Sequence, residues 1–272
     1  MTGNNNLRIG IFDSGLGGLT VFKSLSSSFR NQATFFYLGD LAHLPYGDKS
    51  KDAIIKYSHQ IVGFFINKKV DIIIVACNSA SSVALDYLQK FFSTPIIGTI
   101  IPSVQEVIGK KSSKSVAIIG TDTTINSQAY NQAFLNYQLK IHSIACPLFV
   151  PIVEEGWENT DIAHQIATKY LSNISSDIDT IILACTHYPM LLDTLKAVFN
   201  KLGYHKLTFI ESGKAIANHL YNNKTLQLEL QNHSNLIQSR DEFYVTDNPH
   251  QFNELANKFL GEEINNIQLI SL

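Results

Sequence analysis

The chain has 272 residues, 45% of them hydrophobic and 16% charged, and 21 basic against 23 acidic side chains leave a net charge of −2. That apolar share, with 16 Phe and 11 Tyr, belongs to a packed globular protein and excludes disordered and fibrous classes. The near-neutral balance gives no electrostatic footprint for nucleic acid or an anionic membrane, so neither is expected as a partner.

The length exceeds the roughly 100–200 residues typical of one domain, so one large or two modest cores are expected. The first six residues carry no basic region followed by an apolar stretch, and no secretory signal is expected. Apolar runs such as 72–76 and 181–184 fall far below the ~18 residues that span a bilayer. Cys77, Cys146 and Cys185 do not make a disulfide framework, so a cytoplasmic protein with reduced thiols is expected.

Short β-rich apolar runs alternate with helical stretches. Strands are predicted over 8–12, 34–38, 71–76, 96–98, 115–119, 140–145, 180–184, 206–210 and 243–245, several of them continuously apolar as in strands covered on both faces. Helices are predicted over 19–27, 51–67, 81–92, 126–135, 160–171 and 191–202. The polar stretch 222–240 reads as a surface connection. Such alternation implies parallel sheets flanked by helices, with ligands bound outside the carboxyl ends of the strands.

An internal repeat refines this. DIIIVAC at 71–77 matches DTIILAC at 179–185, IGIFDS at 9–14 matches VAIIGT at 116–121, and Pro45 stands against Pro151. The three offsets agree within two residues. They predict an α/β fold of two pseudo-symmetric open parallel-sheet halves; the segment after 206 belongs to neither copy and is expected to complete the first, giving 1–98 plus 207–272 and 99–206.

Each repeat ends a buried strand in a cysteine followed by small or polar residues and then a helix, around Cys77 and Cys185. A thiol beside unpaired helix amides is drawn toward thiolate. Most buried cysteines merely pack, and Cys146, without polar company, is read that way. Two in matching positions at ligand-binding strand ends point to chemistry. Inverting a carbon stereocentre needs a base on one face and an acid on the other, and two groups of one kind can exchange those roles. With an ordinary pKa of about 8.5, a cysteine modestly stabilised as the anion suits proton transfer near neutral pH.

His187 shares the turn with Cys185. Asp13 ends the first strand before Gly15, Gly17 and Gly18, and is expected beside Cys77 if strands one and three are neighbours. Glu154 is the acidic candidate of the second half, and 39–47, with Pro45-Tyr46-Gly47, is a turn at another strand's carboxyl end.

Taken together and in order, Asp13-Ser14-Gly15, Gly17-Gly18, Gly39-Asp40, Pro45-Tyr46-Gly47, Ala76-Cys77-Asn78, Phe149-Val150-Pro151, Cys185-Thr186-His187, Phe243-Tyr244-Val245 and Phe259-Leu260-Gly261 resemble the glutamate racemase (aspartate/glutamate racemase) family over nearly the whole chain. The resemblance implies a cofactor-independent isomerase that interconverts L- and D-glutamate and supplies D-glutamate for peptidoglycan, hence cell wall biogenesis and cell shape. It implies two domains with the active site in the cleft between them, and suggests a homodimer. By the family pattern Cys77 would take the proton from D-glutamate and Cys185 from L-glutamate, with Asp13 assisting the first and His187 with Glu154 the second. Asp13, Ser14, Tyr46, Gly47, Asn78, Ser79, Thr121, Thr186 and His187 would hold the substrate. Ser79 departs from the family's usual Thr, keeping the hydroxyl but losing a methyl; Glu211-Ser212 replaces an Asp-Ser run.

Four rivals stand beside this reading. Gly15-Leu16-Gly17 and Asp40 resemble part of a dinucleotide site, but Thr20 occupies the third glycine position and Asp13 would repel a pyrophosphate. Cys77, Cys185 and His187 give three candidate zinc ligands without an evident fourth. A non-catalytic amino-acid-binding protein would not need paired cysteines, and a racemase of aspartate or a related amino acid would differ only in pocket depth. The favoured expectation carries no metal, pyridoxal phosphate or nucleotide.

Overall fold

The computed structural model describes residues 6–30, 32–223, 240–261, 263, 264 and 266–272. Most of the polar stretch 222–240 therefore lies outside the described residues. Among the described residues every strand pairing is parallel.

The first sheet contains β1 (Leu7–Asp13), β2 (Ala33–Gly39), β3 (Ile72–Val75), β4 (Ile96–Ile97), β9 (Glu242–Val245) and β10 (Ile267–Leu269), in the order β10-β9-β2-β1-β3-β4. The second contains β5 (Ser115–Gly120), β6 (Lys140–Ala145), β7 (Thr180–Ala184) and β8 (Thr208–Glu211), in the order β6-β5-β7-β8. The run β2-β1-β3-β4 thus recurs as β6-β5-β7-β8, and the sequence repeat appears as repeated topology. β8 pairs with β7, Thr180 opposite Thr208, so the strand near 207 extends the second sheet. A boundary at 207 would put this strand with the first half, but its hydrogen bonding to β7 places it in the second sheet.

Side-chain alternation builds the cores. Ile72 and Ile74 of β3 enter one apolar cluster while Ile73 and Val75 enter another. Ile181 and Leu183 of β7 join the first of these clusters, and Ile182 and Ala184 a third on the far side of the second sheet. The shared cluster is therefore built by strands of both sheets. Full burial of each such aliphatic chain contributes about 1.5–3 kcal/mol.

Among the described residues the α-helices are α1 (Leu19–Phe29), α2 (Lys51–Asn67), α3 (Asn78–Val83), α4 (Leu85–Phe91), α5 (Ile100–Gly109), α6 (Asp122–Asn126), α7 (Ala129–Phe134), α8 (Phe149–Glu154), α9 (Asp161–Leu171), α10 (Leu192–Lys201), α11 (Ser212–Asn222) and α12 (Pro249–Leu260). Polar residues cap several: Ser50 and Thr160 accept from the amides of Ala53 and Ala163, and Asn248 accepts from Gln251 ahead of a first-turn proline. The segment predicted as one helix over 81–92 begins earlier and breaks at Ala84. That over 126–135 is two pieces, divided near Gln128 in left-handed conformation. Among the described residues no helix is long and apolar enough to cross a membrane.

Candidate active site

Parallel pairing brings the carboxyl ends of β1, β3, β5 and β7 to one region. Beyond them a cavity of about 320 Å³ opens, a size suited to a small ligand. Its wall includes eleven of the twelve residues singled out from sequence: Ser14, Tyr46, Gly47, Cys77, Asn78, Ser79, Thr121, Glu154, Cys185, Thr186 and His187. The two repeat cysteines open on the same cavity, whereas Cys146 is buried elsewhere with its thiol 3.8 Å from the Ile144 carbonyl.

Asp13 is the exception. It lies fully buried behind the wall, its carboxylate accepting from the amides of Gly15 and Gly18 and from Thr186 Oγ1 at 3.2 Å. β1 does neighbour β3, which sets Asp13 next to the Cys77 strand end. Burial raises the carboxyl above its ordinary range, against the opposing pull of the His187 charge. Asp13 orders the turn from behind the cavity wall and does not itself line the cavity.

Cys77 also departs from expectation. It caps α3, accepting from the Ala80 amide at 3.5 Å, with Ser14 Oγ 3.7 Å away. Those contacts favour the anion, yet burial first and the Asp13 charge second push the thiol up to about 12. Burial and the Asp13 charge thus favour the thiol form of Cys77.

The Cys185 side is built differently. His187 Nδ1 lies 3.9 Å from Cys185 Sγ, and Nε2 lies 3.1 Å from Glu154 Oε1 on α8. Burial opposes charge on the ring, but hydrogen bonds to Cys185 and Glu154, and their charges, outweigh it and push His187 up to about 10. An imidazolium is thus placed to balance negative charge on Cys185 whenever that sulfur acts as base. His187 is expected to remain doubly protonated at pH 8, where an ordinary histidine is neutral. Nitrogen-15 NMR of labelled histidines, with His187→Gln to assign the signal, checks this; a neutral ring at pH 8 contradicts it.

The remaining polar groups are largely committed to one another. The Tyr46 hydroxyl donates to Asp40 Oδ2 at 2.5 Å, so this loop offers a ligand its backbone rather than its phenol. Asp40 also accepts from Thr246 and contacts His43, which makes it an anchor for the loop and leaves no ribose-binding role. Ser79 and Thr121 hydroxyls meet at 2.9 Å, joining the two sheets' strand ends. Asn78 Oδ1 accepts from Thr99 and Tyr130, and its amide donates to Ser212.

Thr99, Tyr130 and Ser212 were not foreseen, because only tertiary folding brings them behind Asn78. The apolar wall residues Leu44, Pro147 and Leu148 carried no such signal, and Val150 stood only in a family motif. Pro147 and Leu148 lie just beyond β6, after Cys146, within reach of the strand-end rule applied to that strand. Among the described residues no group of three His, Cys, Asp or Glu side chains is arranged to hold a metal ion, and Cys77, Cys185 and His187 are not so grouped.

Residues 9–220 match the family model described as Asp/Glu/Hydantoin racemase. A glutamate racemase from Sulfurihydrogenibium sp. is 40% identical over 258 residues, 93% of this chain and 94% of its own length. One from Aquifex aeolicus is 38% identical over 258 residues, covering 95% and 96%. The crystal structure of glutamate racemase from Francisella tularensis in complex with D-glutamate superposes with a TM-score of 0.87 at 33% identity, covering 98% of both chains.

Proposed function

The chain belongs to the aspartate/glutamate/hydantoin racemase family of amino-acid isomerases, and from that premise we propose that it interconverts L- and D-glutamate by proton transfer between Cys77 and Cys185. One sulfur, as thiolate, takes the Cα proton. The other, as thiol, delivers a proton to the opposite face of the carbanion. The product has inverted configuration, one proton has been gained and one lost at carbon, and the two sulfurs have exchanged protonation states.

The observation that carries this reading is that both repeat cysteines line one cavity in unlike surroundings. Burial first, and the Asp13 charge second, favour the protonated form of Cys77. A charged His187, held by Glu154, attends Cys185. With His187 beside it to offset negative charge, Cys185 would take the proton from L-glutamate and Cys77 would return one to the opposite face. Hydroxyls of Ser14, Ser79, Thr121 and Thr186, with the Tyr46–Gly47 backbone, would bind the carboxylates and stabilise charge developing at Cα. D-glutamate made this way in the cytoplasm would enter peptidoglycan synthesis.

The test is circular dichroism of L- or D-glutamate incubated with the purified protein without added pyridoxal phosphate, with both aspartate enantiomers in parallel. The glutamate signal should decay to zero from either starting enantiomer, with aspartate slower. A persistent glutamate signal would sink the proposal.

A further inference from the structure

Lys258 lies on α12, which packs against α1 and β10 of the first sheet, yet its ammonium reaches the second. Nζ donates to the Val153 carbonyl at 2.7 Å and lies 3.0 Å from Glu158 Oε2. Val153 is at the carboxyl end of α8, where an ammonium is favoured by the exposed carbonyls and by charge-assisted hydrogen bonding. After α8 the chain turns at Gly156, with φ +79°, and the Glu158 carbonyl accepts from Thr194 of α10. Residues 153–158 thus form a strap with Lys258 bound near both ends. Within that strap Glu154 meets His187 Nε2. Next to Lys258, Phe259 sets its ring edge-on to His187, centroids 5.9 Å apart at 87°.

We propose that Lys258 is a positioning residue for the proton transfer: by pinning residues 153–158 it holds Glu154 where it orients His187 toward Cys185. It touches none of the reacting atoms and acts through Glu154. The pair with Glu158 is mostly enclosed, with side chains 26% and 13% exposed, so water does not screen it as it would an exposed pair. The inference rests on the racemase reading of the site.

Glutamate racemisation is measured for wild type, Lys258→Met, Lys258→Arg, Glu154→Gln and the Lys258→Met/Glu154→Gln pair. Lys258→Met keeps the aliphatic stem and should lower kcat/KM about tenfold, as displacement of a positioned group does, with little change in Tm. Lys258→Arg, still cationic, should recover at least half of wild-type kcat/KM. In the Glu154→Gln background the methionine substitution should cost at most about twofold, because the group it acts through is already impaired. A further loss of the full factor there, or Lys258→Met activity within about twofold of wild type, overturns the proposal. Should Lys258→Met fail to fold, Glu158→Gln removes only the carboxylate partner and takes its place in the same cycle. Active wild type with additive losses defeats this inference alone; wild type inert toward glutamate defeats it together with the functional reading.

Discussion

Cys77→Ala and Cys185→Ala proteins are each expected to lose racemisation by about 10²–10⁴-fold or more, the range associated with removing a positioned acid or base. Cys146→Ala should retain nearly full activity, since its thiol lies off the cavity and bonds only a backbone carbonyl. The enantiomers have equal free energy in water, so the equilibrium constant is one. Any variant must then lower kcat/KM equally in both directions, whichever face the lost sulfur served. Direction-specific rates cannot assign the cysteines; solvent isotope can.

In deuterium oxide, Cys77→Ala retains Cys185 and should exchange the Cα proton of L-glutamate with retention of configuration, leaving D-glutamate unlabelled. Cys185→Ala should label D-glutamate alone. Mass spectrometry of the separated enantiomers reads this directly. Near-normal racemisation by either alanine variant would refute two-sulfur transfer, and labelling of the opposite enantiomer would reverse the face assignment.

The sequence disclosed different parts of this site unequally. The nine strands predicted from apolar runs all form, because Ile- and Val-rich segments buried on both faces have few alternatives. β10 was missed: Ile267–Leu269 is short, at the edge and largely exposed, so it lacks that signature. α8 was missed for the opposite reason, since Pro151 sits inside it and argues against a helix, although an early-turn proline needs no amide partner. α12 is legible only in its start at Asn248-Pro249 and its stop at Gly261. Cys77, Cys185 and their neighbours were legible because chemistry, strand-end position and the repeat coincided on them. The raised Cys77 pKa was not, since it depends on burial depth and on the Asp13 charge, neither of which is a property of local sequence.

Gly17→Ala is expected to disable the enzyme although it removes no functional group. Gly17 lies in the turn after β1, and a Cβ there would fall 2.3 Å from Thr186 Oγ1 and 2.5 Å from His187 Nδ1. Its φ is not in the left-handed region, so the conflict is one of space and not of backbone preference. The turn cannot easily retreat, because the Gly17 carbonyl accepts from Thr20, whose hydroxyl also reaches the Thr186 carbonyl at 3.0 Å. Thr186 in turn donates to Asp13. The added methyl must therefore push Thr186 and His187 away, breaking the His187 approach to Cys185. A displacement of about 1 Å at such a group costs on the order of 10²-fold in rate, and overpacking about 1–3 kcal/mol of stability. Gly63→Ala provides the contrast: inside α2, with nothing within 4 Å of the new Cβ, it should stabilise by about 0.5–1 kcal/mol and leave activity unchanged. Racemisation rates and thermal melts of the two variants decide the matter. A Gly17→Ala enzyme as active as Gly63→Ala would mean that the close packing of the first strand's turn against His187 has no part in catalysis.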